Sequence, residues 1–380
     1  MYAQRMHRLL IIFLLAILPF QASLAQDIET KAQQAYIIDF DTGTVLFSKN
    51  EDERMPTSSM SKVMTILAVF EALEDGRLKL EDELLVSEKA WKKGGSKMFV
   101  EVGKKVKVED LIRGVVIQSG NDATIVLAEA LGGSEEAFAK QITEKAREIG
   151  MENTHFTNAS GWPDPNHYST AKDLAILTRY MIQHYPEYYK YYGEPEFTYH
   201  DITQANRNPL LEMDIGADGV KTGHTEDAGY GLIGSGTRDG RRTIMVLNGM
   251  ASMKERGEES GRLLEWSLRN FKNKKLFEKG QIVTHADVVL GEQETVPLKV
   301  DEDIYLTIPL AGSDKITAEA SFDSPLIAPV EEGARIGTMK IYIPSYGQVE
   351  KPVYAAESVS EPGFFEKTMA KLTLFIKQNL

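Results

Sequence analysis

Cysteine is absent from the 380 residues. That excludes disulfides, iron–sulfur clusters, a cysteine nucleophile and thiolate-bound zinc. The seven histidines contain no H-E-x-x-H and no pair four residues apart, so neither a metal nor any other cofactor is expected. Positive charge is in deficit. Lys+Arg number 43 against 56 Asp+Glu, giving a net charge of −13 and a pI near 5.2. Nucleic-acid phosphates require a basic surface, so nucleic acid is not an expected partner. The apolar run Leu9–Leu18 falls short of the ~20 residues a membrane-spanning helix needs. No repeat of solenoid period is visible.

The length suggests roughly two or three domains. With 42% apolar and 26% charged residues, the composition is that of a folded soluble protein. Residues 1–25 have the form of a secretory signal peptide. Arg5 and Arg8 precede Leu9–Leu18, Pro19 breaks the run, and Ser23-Leu24-Ala25 places small residues at a cleavage site. Residues 26–275 mix strands and helices. Asp41-Thr42-Gly43 reads as a hairpin turn between Ala35–Asp39 and Thr44–Phe47. Ser58–Leu73 reads as a helix buried on most sides, because Ile66–Phe70 is apolar without a break. Helical patterns follow at Val108–Leu131, Gly133–Ile149 and Glu258–Phe271, with strands at Tyr230–Ser235 and Thr243–Met250.

Composition shifts at the lysine-rich stretch 272–280. Beyond it, short β runs at Ile282–Leu290, Thr295–Val300, Ile304–Ile308, Ile316–Phe322 and Arg335–Ile343 indicate a small all-β domain over residues 280–355. After the polar linker Ser358–Gly363, residues 364–380 place Phe364, Phe365, Met369, Leu372, Phe375, Ile376 and Leu380 at helical spacing, with Lys367, Lys371 and Lys377 elsewhere on the surface. That pattern suits an amphipathic helix lying on a membrane surface. A helix docked on its own protein is the plainer alternative. The linker favours the membrane.

Three short motifs carry the chemistry. In Ser59-Met60-Ser61-Lys62, positions three apart share a helix face. The Ser59 hydroxyl, a weak nucleophile, needs an adjacent base, and a neutral Lys62 fits. Burial and a second cation would lower the lysine pKa toward working pH, and the helix dipole favours negative charge developing at Ser59. The spacing alone is weak evidence, because Ser169-Thr170-Ala171-Lys172 repeats it. That copy is better read as a cap: Thr170 and Asp173 form T-x-x-D before an apolar run. The second motif, Ser119-Gly120-Asn121, interrupts a helical stretch. Ser119 can relay a proton and Asn121 can donate to a substrate amide, although a helix cap explains them equally well in isolation. The third, Lys221-Thr222-Gly223, occurs once and continues into His224-Thr225. Gly223 permits close approach of a substrate backbone. Lys221 would be the cation that keeps Lys62 neutral, and the hydroxyls of Thr222 and Thr225 would grip a carboxylate. A turn with a surface lysine is the bland alternative.

Together the three motifs follow the penicillin-binding protein and β-lactamase set. The chain resembles the low-molecular-mass penicillin-binding proteins that act as serine-type D-alanyl-D-alanine carboxypeptidases. Pro56–Lys62, Gly114–Ala123, Asn153–Phe156 and Gly219–Thr225 carry the resemblance. It implies an α/β (α+β) penicillin-recognising transpeptidase/β-lactamase-like domain, an antiparallel sheet with helices on both sides, followed by the β domain and the terminal helix. The implied substrate is the peptidoglycan peptide stem ending in D-Ala-D-Ala, with β-lactams as covalent inhibitors. Ser59 would attack, Lys62 would act as base, and the backbone N–H groups of Ser59 and His224 would hold the oxyanion. Arg256 ranks below Thr222 and Thr225 as the carboxylate anchor, because a surface salt bridge to Glu258 or Glu259 accounts for it equally. No E-x-x-x-N occurs in Trp162–Tyr168, so efficient lactam hydrolysis is not expected. The implied location is the periplasm, on the outer face of the cytoplasmic membrane. An endopeptidase on crosslinks and a catalytically silent wall-binding protein are the rival readings.

Overall fold

The computed structural model describes residues 28–311, 315–343 and 347–363. The leader expected over residues 1–25 and the helix expected over 364–380 lie outside the described residues.

A five-stranded antiparallel sheet is the frame of the catalytic half. Its order is Val45–Lys49, Gln34–Asp39, Arg241–Met250, Gly229–Arg238 and Ala217–Thr225. Successive side chains of a strand point to opposite faces, and both faces here are buried. Ile38, Val220, Ile233, Ile244 and Val246 join the large core. Ile37, Leu232, Met245 and Leu247 face the other way, onto Leu263, Leu264 and Leu268 of helix Met253–Arg269. Burial on both sides explains why the central strand carries the unbroken apolar run Ile244–Leu247 rather than strict alternation. Helix Ala171–His184 covers the first face, together with an all-helical part that includes Lys62–Glu74, Val108–Val116, Asn121–Gly132 and Glu135–Glu148.

The expected hairpin turn forms around one carboxylate. Asp39 accepts from the backbone N–H of Asp41 and Thr42, at 3.1 and 3.0 Å, and pairs with buried Arg241 at 3.2 Å. Two helix starts differ from the expectation by a full turn or more. The helix expected from Ser58 begins at Lys62, preceded by a 3₁₀ turn over Ser58–Ser61. Ser58 has φ +43°, a left-handed conformation that no helix continues through. The helix expected from Glu258 begins at Met253, where the Ser252 side chain accepts from the Glu255 N–H at 3.1 Å.

The lysine-rich stretch that read as a break is the strand Phe271–Phe277, paired with Ile304–Pro309. Its lysines project outward, which hid the strand from a reading of hydrophobicity. A six-stranded sheet follows: Thr317–Phe322, Arg335–Ile343, Gly347–Ala355, Thr295–Lys299, Ile282–Val289 and the two-residue Leu326–Ile327. It has its own core, including Val296, Leu298, Ile341 and Val353. Strand Gly347–Ala355 had no expectation, because its Gln, Glu, Lys and Pro dilute the β pattern. The two halves meet where Thr42 and Thr307 share a hydrogen bond of 2.6 Å and Asn273 donates to Asp39 at 3.3 Å. Among the described residues no helix is long and apolar enough to cross a membrane.

Candidate active site

The 3₁₀ turn Ser58–Ser61 sets the first contact. In a 3₁₀ turn, side chains three apart eclipse one another. Ser59 and Lys62 therefore stack, and the Lys62 ammonium nitrogen donates to Ser59 Oγ at 2.7 Å and to the Ser160 carbonyl at 2.8 Å. Lys62 is fully buried, with no carboxylate among its hydrogen-bond partners. Burial above all, then the charges of Arg207 and Lys93, lowers its pKa from the usual value to about 7. A substantial neutral fraction is then present at neutral pH, and an uncharged amine within hydrogen-bond reach can take the Ser59 proton.

The second motif arrives from the break between helices Val108–Val116 and Asn121–Gly132. Ser119 takes φ +62° there, and the Gly120 N–H reaches back to the Gly114 carbonyl at 2.9 Å. This kink turns the buried Ser119 hydroxyl toward Lys221, whose ammonium nitrogen donates to it at 2.9 Å. Asn121 donates to the Gly94 carbonyl at 2.9 Å. The next residue, Asp122, accepts from the N–H groups of Met98, Phe99 and Val100, at 2.9, 2.8 and 3.2 Å. Asn121 and Asp122 thus fasten the loop over residues 94–100 beside the site.

The third motif lies on Ala217–Thr225, the edge strand of the sheet. Lys221 is buried, and burial followed by repulsion from Lys62, Arg207 and Arg256 pushes its pKa well down. Two ammonium groups this close disfavour each other. Arg207 and Lys93 reinforce burial at Lys62, and Lys62 and Lys221 repel each other as the motif reading expected. Gly223 has a local packing role besides the one expected of it. A Cβ there would lie 2.8 Å from Ser58 Oγ and 3.0 Å from the Thr57 carbonyl. The glycine is needed so that the edge strand can close on the nucleophile turn itself.

Ser59, Ser119, Thr222, Gly223, His224 and Arg256 line one cavity of about 560 Å³. Thr225 is not among its walls. It faces a neighbouring cavity of about 610 Å³, and its hydroxyl accepts from the Ala228 N–H at 3.1 Å. Of the three carboxylate candidates, Thr222 and Arg256 share the cavity of Ser59 and Thr225 does not. Arg256 is only 6% exposed, its guanidinium lies 5.7 Å from the Tyr230 ring centroid, and its Nε has no hydrogen-bond partner among the described residues. The expected salt bridge does not form, because Glu258 pairs with Lys254 and Glu259 with Arg262. A buried cation opening onto the cavity of a nucleophile suits an anionic ligand.

Sequence reasoning missed Arg207, which lines the same cavity and donates to Ser96 Oγ. Its setting was the available signal. Asn206 donates to the Glu194 carbonyl at 3.0 Å, and Asn208 accepts from the Leu210 N–H at 3.1 Å. An arginine between two turn-forming asparagines is one whose backbone is fixed. The second S-x-x-K has the structural role expected of it. The Thr170 hydroxyl accepts from the Asp173 N–H at 3.0 Å as a helix cap, and Lys172 pairs with Asp52 at 3.2 Å. The Asp173 carboxylate does not complete a reciprocal box. It accepts from Asn153 N–H and Thr154 Oγ1 at 2.9 and 2.7 Å. Trp162, Pro163, Asp164, Pro165 and His167 line the second cavity. Among the described residues no group of three or more His, Asp or Glu is arranged to hold a metal.

Residues 21–251 match the family described as D-alanyl-D-alanine carboxypeptidase, and residues 271–361 match the C-terminal domain of penicillin-binding protein 5. A D-alanyl-D-alanine carboxypeptidase DacA of Haemophilus influenzae is 36% identical, over 91% of this chain and 90% of the relative. DacF of Bacillus subtilis is 34% identical over 91% of each. Penicillin-binding protein 5 of Haemophilus influenzae superposes with a TM-score of 0.78 at 36% identity, covering 88% of this chain and 99% of the other. Penicillin-binding protein D2 of Listeria monocytogenes, solved in an ampicillin-bound form, is 30% identical with a TM-score of 0.58. It covers 63% of this chain and 98% of its own. With a family match over most of its length and relatives above 30% identity along nine-tenths of it, this chain belongs to the D-alanyl-D-alanine carboxypeptidase family, a penicillin-recognising α+β domain followed by an all-β domain.

Proposed function

We propose that this serine carboxypeptidase removes the terminal D-Ala from peptidoglycan stems through an acyl-enzyme on Ser59. The observation that carries the assignment is the 2.7 Å contact between Ser59 Oγ and the buried Lys62 amine. Neutral Lys62 takes the hydroxyl proton as Ser59 Oγ bonds to the carbonyl carbon of the penultimate D-Ala. The backbone N–H groups of Ser59 and His224 receive the oxyanion, where one such donor is worth about 3–4 kcal/mol. As the peptide C–N bond breaks, the proton passes to the leaving amine through the Lys62, Ser119 and Lys221 set. Free D-alanine departs, and water hydrolyses the ester, returning the proton to Ser59. Asn121 donates to the substrate amide, and the stem lies antiparallel along the Ala217–Thr225 edge, as peptides do on exposed sheet edges.

Arg256 and Thr222 take the terminal carboxylate, with Arg207 adding positive charge. A buried guanidinium beside the nucleophile suits a substrate with a free carboxylate next to the scissile amide, which a terminal D-Ala supplies. β-Lactams carry a carboxylate at the corresponding distance from their reactive carbonyl and would acylate the same serine. The catalytic domain spans residues 26–275, and the β domain over 280–355 is a spacer. Export through residues 1–25 places the enzyme in the periplasm. Helix 364–380 then rests on the outer face of the cytoplasmic membrane.

Four outcomes are expected. Labelled penicillin should form a covalent adduct with the wild-type protein and with Ser169→Ala, and none with Ser59→Ala. An adduct on Ser59→Ala would refute the assignment of the nucleophile. The acylation rate should rise with pH through about 7, where Lys62 loses its proton, and level off above it. The direction follows from the lowered pKa: the lysine is charged and inactive below it, neutral and basic above it. A rate flat from roughly pH 5 to 9 would remove Lys62 as base. Arg256→Ala should lower kcat/KM on a D-Ala-D-Ala peptide roughly 10- to 100-fold, the loss expected for about 1.5–3 kcal/mol in a charged hydrogen bond. The same substrate capped as a C-terminal amide should be hydrolysed slowly by both proteins, and equal sensitivity of the two substrates to the substitution would contradict the anchor. Removing residues 364–380 should shift the protein from membrane pellets to the supernatant after fractionation; retention in the pellet would exclude the tail as anchor.

A further inference from the structure

The turn carrying Ser59 has little of its own to hold it. A single 3₁₀ turn has poor hydrogen-bond geometry, and this one starts from Ser58 at φ +43°. A non-glycine residue in that region costs about 1–3 kcal/mol, so the surroundings must impose it. Helices usually secure such a start with a Ser or Thr side chain capping backbone N–H groups. Thr57 and Ser61 occupy the two cap positions here, before the 3₁₀ turn and before the α-helix, and neither side chain caps. The two hydroxyls bond to each other instead, and Ser61 Oγ bonds to His167 Nε2 at 2.7 Å.

The proton order in this chain is fixed by its far end. The Thr157 backbone N–H points at His167 Nδ1 at 3.2 Å. A backbone amide can only donate, so Nδ1 is the bare nitrogen and Nε2 carries the proton. Nε2–H then donates to Ser61 Oγ, which leaves the Ser61 proton for Thr57 Oγ1. Thr57, Ser61 and His167 are 0, 1 and 4% exposed, so the partners of these three side chains are protein atoms. Burial, with smaller opposing effects from Asp164 on one side and from His155 and Lys62 on the other, lowers the imidazole pKa to about 4. The ring is neutral across the working range, as this hydrogen-bond pattern requires.

His167 closes a wider clamp. Three residues of the nucleophile helix grip one segment: Ser61 holds His167, Lys62 donates to the Ser160 carbonyl at 2.8 Å, and Thr65 donates to the Ala159 carbonyl at 2.6 Å. Gly161 lets that segment touch the turn, since a Cβ there would lie 1.7 Å from the Ser58 carbonyl oxygen.

We propose that His167 is a positioning residue for acylation. Through Ser61 and Thr57 it fixes the Ser58–Ser61 turn, and so the direction of the Ser59 hydroxyl and backbone N–H, without touching substrate. The proposal rests on Ser59 being the acylated residue. The test measures labelled-penicillin acylation, kcat and KM on a D-Ala-D-Ala peptide, and the melting temperature. The proteins compared are wild type, Ser59→Ala, His167→Ala, His167→Gln, Ser61→Ala and His167→Ala/Ser61→Ala. Wild type without an adduct, or Ser59→Ala with one, refutes the underlying assignment and leaves nothing for His167 to position. With that assignment intact, His167→Ala should lower kcat and the acylation rate roughly 10- to 100-fold, the scale of a misplacement near 1 Å, with KM changed less than about threefold. Ser61→Ala should match it, and the double substitution should add little, as members of one chain do. His167→Gln, whose amide can donate to Ser61, should recover most of the rate. Should His167→Ala fail to fold, Ser61→Ala and His167→Gln carry the same test. A folded His167→Ala or Ser61→Ala with wild-type acylation overturns the proposal. So does a rate loss that follows only the melting temperature and is no smaller in His167→Gln.

Discussion

A lysine amine held dry against a serine hydroxyl, at 2.7 Å and with no carboxylate partner, is the contact on which the rest of this structure depends. A buried ammonium is costly, and a lysine so placed sheds its proton near neutral pH. That cost has to be sustained by the surrounding fold. The helix Lys62–Glu74 is buried on nearly every side. The segment over Ala159–Gly161 presents a carbonyl to Lys62. Arg207 and Lys93 add repulsion that favours the neutral form. The unusual state of one side chain is therefore distributed over several elements distant in sequence.

The sheet edge provides the second constraint. Ala217–Thr225 closes on the nucleophile turn so tightly that Gly223 has no room for a Cβ beside Ser58 Oγ and the Thr57 carbonyl. The same closeness carries Lys221 to Ser119 and places Thr222 and His224 in the Ser59 cavity. Arg256 reaches that cavity from the following helix, behind Tyr230, and Arg207 from a turn braced by two asparagines. The half of the cavity where a terminal carboxylate would lie is consequently cationic, which agrees with an enzyme that acts at the free end of a peptide.

Much of the fold was legible. Ile244–Leu247 and Ile66–Phe70 are apolar without interruption because both lie between packed layers. The β runs after residue 280 alternate enough to be recognised. The lysine-rich strand Phe271–Phe277 was not, since one of its faces is solvated and its pattern resembles a linker. At the site, Ser59, Lys62, Ser119, Asn121 and Lys221 stood out through short motifs. Arg207 and His167 carried no motif. For Arg256 the neighbours Glu258 and Glu259 offered a salt bridge in the sequence that does not form in the fold.

By itself the sequence determined the residue types and their local spacing. A serine three residues before a lysine, a Ser-Gly-Asn break in a helix, and Lys-Thr-Gly before His-Thr are local facts, as are the apolar periods that specify sheet and helices. Tertiary structure decided which of two S-x-x-K copies loses its water, which threonine faces the nucleophile, and which cations lie near Lys62. Those outcomes depend on burial and on distances between segments up to a hundred or more residues apart. Desolvation and Coulomb repulsion are properties of three-dimensional surroundings, and no spacing along the chain encodes them directly.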